Sequence, residues 1–276
     1  MADQPRVTRV IKKTKDIRLK ILDQDDEMPE LKRPTDILSA NKVSGWSLNF
    51  PIQGTCKPSK LCIKTCYYAN GMTAWTNSLR KQMWCYEACV KDPIWFAEEV
   101  VKEYSKRSLT YLRWNGGGDL FPESVEALNH IGENHPDVVI WIVTRIPEMA
   151  KLVKAYDNLH LHFSLDKESL KRRDAVMAMD IPMKNRIFFS YQCDKDEWPD
   201  MKMLMDNHGV SLFFYDNYSP PPLLYTELFH KKDDRYKALC PLNIRKAHDQ
   251  SIEGTCGECR RCFDGSNVRG HRNNPS

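Results

Sequence analysis

Between residues 46 and 215 the chain alternates repeatedly between short apolar, β-branched runs and longer helical patterns, and few folds accommodate that rhythm. Strand-like runs fall at 46–50, 109–114, 138–144, 159–165, 187–192 and 210–215. Helical patterns fall at 78–105, 122–134, 147–156, 167–179 and 199–208. Pro122, Pro147 and Pro199 stand where a helix would begin, the position that best tolerates a residue with no N–H, and Asp92-Pro93 should kink or split the first helical stretch. Strands joined by crossover helices make an α/β protein, either a parallel sheet or a partial (β/α)6 barrel of parallel strands, and the barrel is the expectation. Residues 1–45 form a short N-terminal basic extension and 216–276 a cysteine-rich C-terminal appendage around the central unit, 46–215.

Chemistry in such folds sits at the carboxyl ends of the strands, so those ends decide what the chain can do. After the first comes a loop with Cys56, Cys62 and Cys66. Thiolates packed so densely share a metal, yet structural zinc and ordinary iron-sulfur clusters take four protein ligands. Either a fourth ligand comes from elsewhere or one position stays open for a substrate or cofactor. The second strand runs into Asn115-Gly116-Gly117-Gly118-Asp119, where bare backbone admits a ligand and the acid can receive an ammonium; a tight turn would use the same glycines. The third ends in Thr144-Arg145. At the fourth, Ser164 and Asp166 suit a ribose, and Arg172 or Arg173 just beyond suits a carboxylate. Ser190 and Gln192 end the fifth, and Phe213, Phe214 and Tyr215 on the sixth read as core.

A second cysteine set lies near the C-terminus: Cys240, Cys256, Cys259 and Cys262, the last three at two-residue gaps. That step fits a ferredoxin-type cluster, with structural zinc the alternative. Cys85 and Cys89, four apart on a helix, read as buried packing thiols, and so does Cys193. His160 and His162 share one face of a strand and are expected as interior polar groups. In the extension, 7–22 mixes basic residues with strand-like alternation, expected as an edge strand or hairpin, or else a basic arm for an anionic partner. No apolar run has membrane-span length and no signal-peptide core opens the chain, so a cytoplasmic protein with no membrane partner is expected, where ten cysteines serve metals before disulfides.

In order and location these motifs resemble the radical S-adenosylmethionine superfamily: a cysteine loop after the first strand, glycines with an acid after the second, and Ser164-Leu165-Asp166 after the fourth. The gaps between cysteines are five and three residues rather than that superfamily's three and two, and the acid is Asp119 rather than glutamate. Cys56-Lys-Pro, Cys66-Tyr-Tyr-Ala, Cys240-Pro and Cys256-Gly-Glu-Cys259-Arg-Arg-Cys262-Phe look more narrowly like the phage and bacterial "gene product 88" group of radical-SAM-like proteins. The resemblance implies a 4Fe-4S cluster on Cys56, Cys62 and Cys66, with S-adenosylmethionine chelating its open iron. It further implies the methionine ammonium at Gly116, Gly117, Gly118 and Asp119, ribose at Ser164 and Asp166, carboxylate at Arg172 or Arg173, and weaker contacts at Ser190 and Gln192. Cys240, Cys256, Cys259 and Cys262 would hold a second 4Fe-4S cluster or zinc.

By that resemblance the chain would cleave S-adenosylmethionine reductively and take a hydrogen from a small-molecule or nucleotide substrate, with a reductant such as flavodoxin or ferredoxin. A modified DNA base fits the phage-type likeness, and a formal net charge of +4 permits but does not demand a nucleic-acid partner. The alternative is a non-catalytic iron-sulfur or zinc-stabilised binding protein on a barrel scaffold. A zinc hydrolase ranks last, because no helix carries paired histidines at ligand spacing.

Overall fold

The computed structural model describes residues 10, 31–41, 44–69, 71–178, 187–195, 197–215 and 238–240. The segment 7–22, apart from Val10, and Cys256, Cys259 and Cys262 lie outside these residues. The seven strands of one sheet are β1 (Ser39–Asn41), β2 (Gly45–Ser47), β3 (Leu112–Trp114), β4 (Ile140–Thr144), β5 (Leu159–Leu165), β6 (Phe188–Cys193) and β7 (Val210–Tyr215). Spatial order follows chain order; β1 pairs antiparallel with β2, and every later pair is parallel. The protein is α/β, as its rhythm requires.

The helices are α1 (Ile52–Thr55), α2 (Lys60–Thr65), α3 (Thr76–Lys91), α4 (Pro93–Lys106), α5 (Pro122–Asn134), α6 (Pro147–Ala150), α7 (Lys171–Ala178) and α8 (Met201–His208), with 3-10 turns at Tyr67–Ala69 and Gly71–Ala74. The break at Asp92-Pro93 is complete. Proline opens α4, and the Asp92 carboxylate caps it by accepting the Trp95 N–H at 2.9 Å. Pro199 lies just before α8, whose cap is Asp200. α6 is shorter than its helical pattern, because the Asn129 amide on α5 captures the chain there: its Nδ2 donates to Leu152 O and its Oδ1 accepts from Lys154 N. Those groups are lost to a continuing helix.

Strand alternation divides the sheet chemically. Leu112, Trp114, Ile140, Ile142, Leu161, Phe163, Leu165, Phe189, Tyr191, Phe213 and Tyr215 join one core with Phe96 and Val100 of α4 and with Leu128 and Ile131 of α5. The alternate positions mix polar groups, Ser47, Arg113, His162, Ser164, Ser190 and Gln192, with apolar ones, Trp141, Val143, Leu212 and Phe214, so Phe214 stands apart from the core that Phe213 and Tyr215 join. Parallel connections that advance in one direction with one hand keep their helices on one face, and the other face is free to be polar.

Two boundaries differ from the sequence reading. Residues 39–41 belong to the sheet, and Ile37 and Leu38 lie in its core, so the sheet begins before residue 46. β2 ends at Ser47, but the chain continues to bond beyond the ladder, with Leu48 N donating to Arg113 O at 3.0 Å and Phe50 N to Gly117 O at 2.9 Å. At the far edge Leu239 bridges Phe213, and Cys240 N donates to Phe213 O at 2.8 Å.

Candidate functional site

The cysteine loop lies across the carboxyl ends of the central strands, tied to each in turn. Thr55 Oγ1 donates to Pro51 O and accepts the Asp119 N–H at 3.1 Å, beyond β3. Ser59 Oγ caps α2 by accepting the Cys62 N–H at 3.1 Å, and donates its own proton to Asp166, beyond β5. Thr65 Oγ1 accepts from Gln192 Nε2 on β6 at 2.7 Å. Tyr67 donates to the Gly116 carbonyl, and Lys64 reaches Asp194 at 3.0 Å. Every anchor lies within a few residues of a cysteine. Cys56 caps the end of α1, Cys62 lies within α2 and Cys66 caps its end, all three partly exposed.

Beneath the loop sits Arg145, a hub that the candidate list drawn from the sequence omits. Its guanidinium donates to Asp166 Oδ2 at 2.8 Å and to Gln192 Oε1, while its backbone N–H donates to Asp119 Oδ2 at 3.2 Å. Burial pushes the Asp166 carboxyl up, but hydrogen bonds from Ser59 and Ser169 and the Arg145 charge outweigh it and hold the group below its ordinary value. Asp119 goes the other way. Burial raises it to about 6, against bonds from Thr144 Oγ1, Leu120 N and Arg145 N. Burial also pushes the Cys56 thiol well up, and Asp119, Cys62 and Cys66 add to the shift, so Cys56 feels the charge of both other loop thiols. Thiolates there call for a cation.

The expected cofactor contacts divide into two sets. Asp166, Arg172 and Gln192 converge on the loop, but as its supports: Arg172 donates to Lys57 O at 3.2 Å and Arg145 O at 3.3 Å. Ser164 and Ser190 are buried register partners on the polar face. Arg173 turns away to His208 O and Asp174. The glycines serve close packing. A Cβ on Gly117 would stand 2.2 Å from the Tyr68 ring, and Gly118 holds φ +81° against Phe50 and Thr55. Asp119 accepts three bonds of the roughly four that a carboxylate can take.

A family model described as gene product 88 matches residues 19–265. The chain belongs to the gene product 88 family. No curated protein and no solved structure matches it. The gene product 88 match spans the loop, the glycine run, Arg145 and the C-terminal cysteines through Cys262. Of that last set Cys240 stands at the sheet's edge beside β7. Cys85, Cys89 and Cys193 are fully buried, and burial lifts the Cys85 thiol to about 12, which suits packing.

The loop's sulfurs also bear on which metal they fit. A zinc ion with bonds of about 2.3 Å draws tetrahedral thiolates to roughly 3.8 Å of each other. Cys56, Cys62 and Cys66 do not all lie within 4.8 Å of one another; among the described residues that spacing is met by Glu98, His130 and His135. Three cysteine thiols with one metal position left open are a donor set that an iron-sulfur group can use. Among the described residues no helix is long and apolar enough to cross a membrane.

Proposed function

We propose that this chain is a radical S-adenosylmethionine enzyme, a partial (β/α)6 barrel with a four-iron cluster on Cys56, Cys62 and Cys66. One observation carries the reading: a loop of three thiols, with Cys62 and Cys66 both near enough to Cys56 to raise its thiol, is bonded across parallel strand ends. Strand order that follows chain order, with helices on one face, supports the barrel. When bound, the cluster and S-adenosylmethionine would supply one electron and a scissile sulfonium carbon-sulfur bond, giving methionine and a 5′-deoxyadenosyl radical that takes hydrogen from the substrate.

The chain's own residues position and enclose. Ser59 and Thr65 fix the helix carrying Cys62 against Asp166 and Gln192, so ligand spacing is set by the sheet rather than by a free loop. Arg145 keeps both of those partners in place. The glycine-run carbonyls and the remaining capacity of Asp119 would take the methionine ammonium, Ser164 and Ser190 the ribose, with Asp166, its four acceptor sites already filled, bracing from beneath, and the unspent N–H groups of Arg172 the carboxylate. Arg113, its guanidinium 4.8 Å from the Trp141 ring and 5.8 Å from Tyr67, lies on the same polar face and suits an anionic substrate, a nucleotide first. Cys240 with Cys256, Cys259 and Cys262 would hold the second cluster, or zinc.

The test is 5′-deoxyadenosine formation by the anaerobic, reduced protein given S-adenosylmethionine, with Cys66→Ala alongside. Product from the wild type and none from the variant is the expected result. An iron-loaded wild type that neither forms product nor binds S-adenosylmethionine would leave the metal-stabilised binding protein in its place.

A further inference from the structure

At the opposite end of the sheet, two histidines share one carboxylate oxygen. Glu98 Oε1, on α4, stands 2.7 Å from His130 Nε2 and 2.8 Å from His135 Nε2. His130 lies in the last two turns of α5, and His135 is its C-terminal cap. α5 runs from the carboxyl end of β3 back to the start of β4, so this cluster lies at the amino ends of the strands and the cysteine loop at their carboxyl ends.

We propose that Glu98, His130 and His135 form a divalent-metal site, for which zinc is the best-suited ion. Their three ligand atoms all lie within 4.8 Å of one another. Two imidazole nitrogens and a carboxylate oxygen are the donor set of an open zinc site, with a fourth position left to water or a ligand. Zinc bonds of about 2.0–2.2 Å would set tetrahedral ligand atoms roughly 3.3 Å apart, so the present contacts need to open by about half an ångström. That is a side-chain adjustment.

The backbone around it is fixed. His135 N donates to Ile131 O at 2.9 Å, and its carbonyl accepts from Val138 N and from Asn158 Nδ2. The three side chains are partly exposed, between 20% and 38%, so an ion can enter without unfolding the helices. His130 also lines a surface cleft of about 400 Å³ with Ile94, Val125, Glu126, Asn129 and Leu152, which gives a small ligand a place beside the metal.

The proton balance is simple. An imidazole facing the Glu98 carboxylate through Nε2 donates Nε2–H to it; metal binding would need that nitrogen's lone pair, with the ring's proton carried on Nδ1. Asn134 is built to follow at His130, since its amide lies 3.2 Å from Nδ1. Turned over, it would accept from Nδ1–H through oxygen, at the cost of the bond Nδ2 now gives to His130 O. The Glu98 carboxyl is already held below its ordinary value by its hydrogen bonds to His130 and His135, so it meets a cation ionised.

Cobalt titration of the full chain tests the site, because thiolate ligation gives intense near-ultraviolet charge-transfer bands and an all-N,O site gives only weak visible ones. The wild type should take up one more equivalent than Glu98→Gln or His130→Gln, and the difference spectrum should lack thiolate bands. Asn134→Ala should weaken that equivalent by on the order of tenfold. Equal uptake by wild type and variants would reduce the trio to a hydrogen-bonded brace. In the wild type alone, zinc should move the ring-nitrogen resonances of His130 and His135; unmoved signals at saturating zinc would overturn the proposal without relying on any variant's folding.

Discussion

Arg145 holds two buried partners from two strands, and its loss would strand a carboxylate that nothing else neutralises as well. Removing one member of a buried ion pair costs about 3–5 kcal/mol, much more than the pair's net worth, because the other charge stays buried. Arg145→Ala should therefore lower stability by that order in urea unfolding at pH 7. Arg145→Lys should recover only part, since an ammonium cannot fork to Asp166 and Gln192 together. The sign with pH follows from Asp166, whose folded carboxyl titrates below its ordinary 3.8. Stability linked to it is present above that value and is lost as pH falls through the lower, folded one, so the gap between wild type and variant should narrow below about pH 3.8. The sequence shows Thr144-Arg145 at a strand end, but an arginine is usually exposed unless it is paired. Its role depends on Asp166 and Gln192, 21 and 47 residues away.

At the scale of elements, the cysteine loop and the glycine run are a single packed unit. Gly117 lies flat under the Tyr68 ring, and Gly116 carries the Tyr67 hydroxyl bond on its carbonyl. Overpacking a tight contact costs roughly 1–3 kcal/mol. Gly117→Ala should cost about that in urea unfolding, and Tyr68→Ala in the same chain should make the glycine change nearly neutral. Additive costs would mean that the ring and the glycine do not press on each other in solution. Helix starts at Pro93, Pro122 and Pro147 and the break at Asp92 were legible because proline chemistry is local. The early end of α6 was not, because Asn129 imposes it from another helix.

For the whole molecule, the charge balance is nearly even, with 41 basic and 37 acidic residues, so any hold on DNA must come from local basic groups such as the Arg260-Arg261 tail. If the substrate is a base in DNA, retention on a DNA column should fall steeply as salt rises, since phosphate contacts release counterions; salt-independent lack of retention would remove DNA and leave free nucleotides. The local signals in the chain determined the class of fold, the prolines that open helices and the clustering of Cys56, Cys62 and Cys66, because periodicity and spacing report on neighbours in sequence. Tertiary structure alone decided that Asp166, Arg172 and Gln192 brace the loop, that Arg145 joins them, and that Glu98 meets His130 and His135. Those contacts form between residues tens of positions apart, and only sheet register and helix packing bring them within hydrogen-bonding distance.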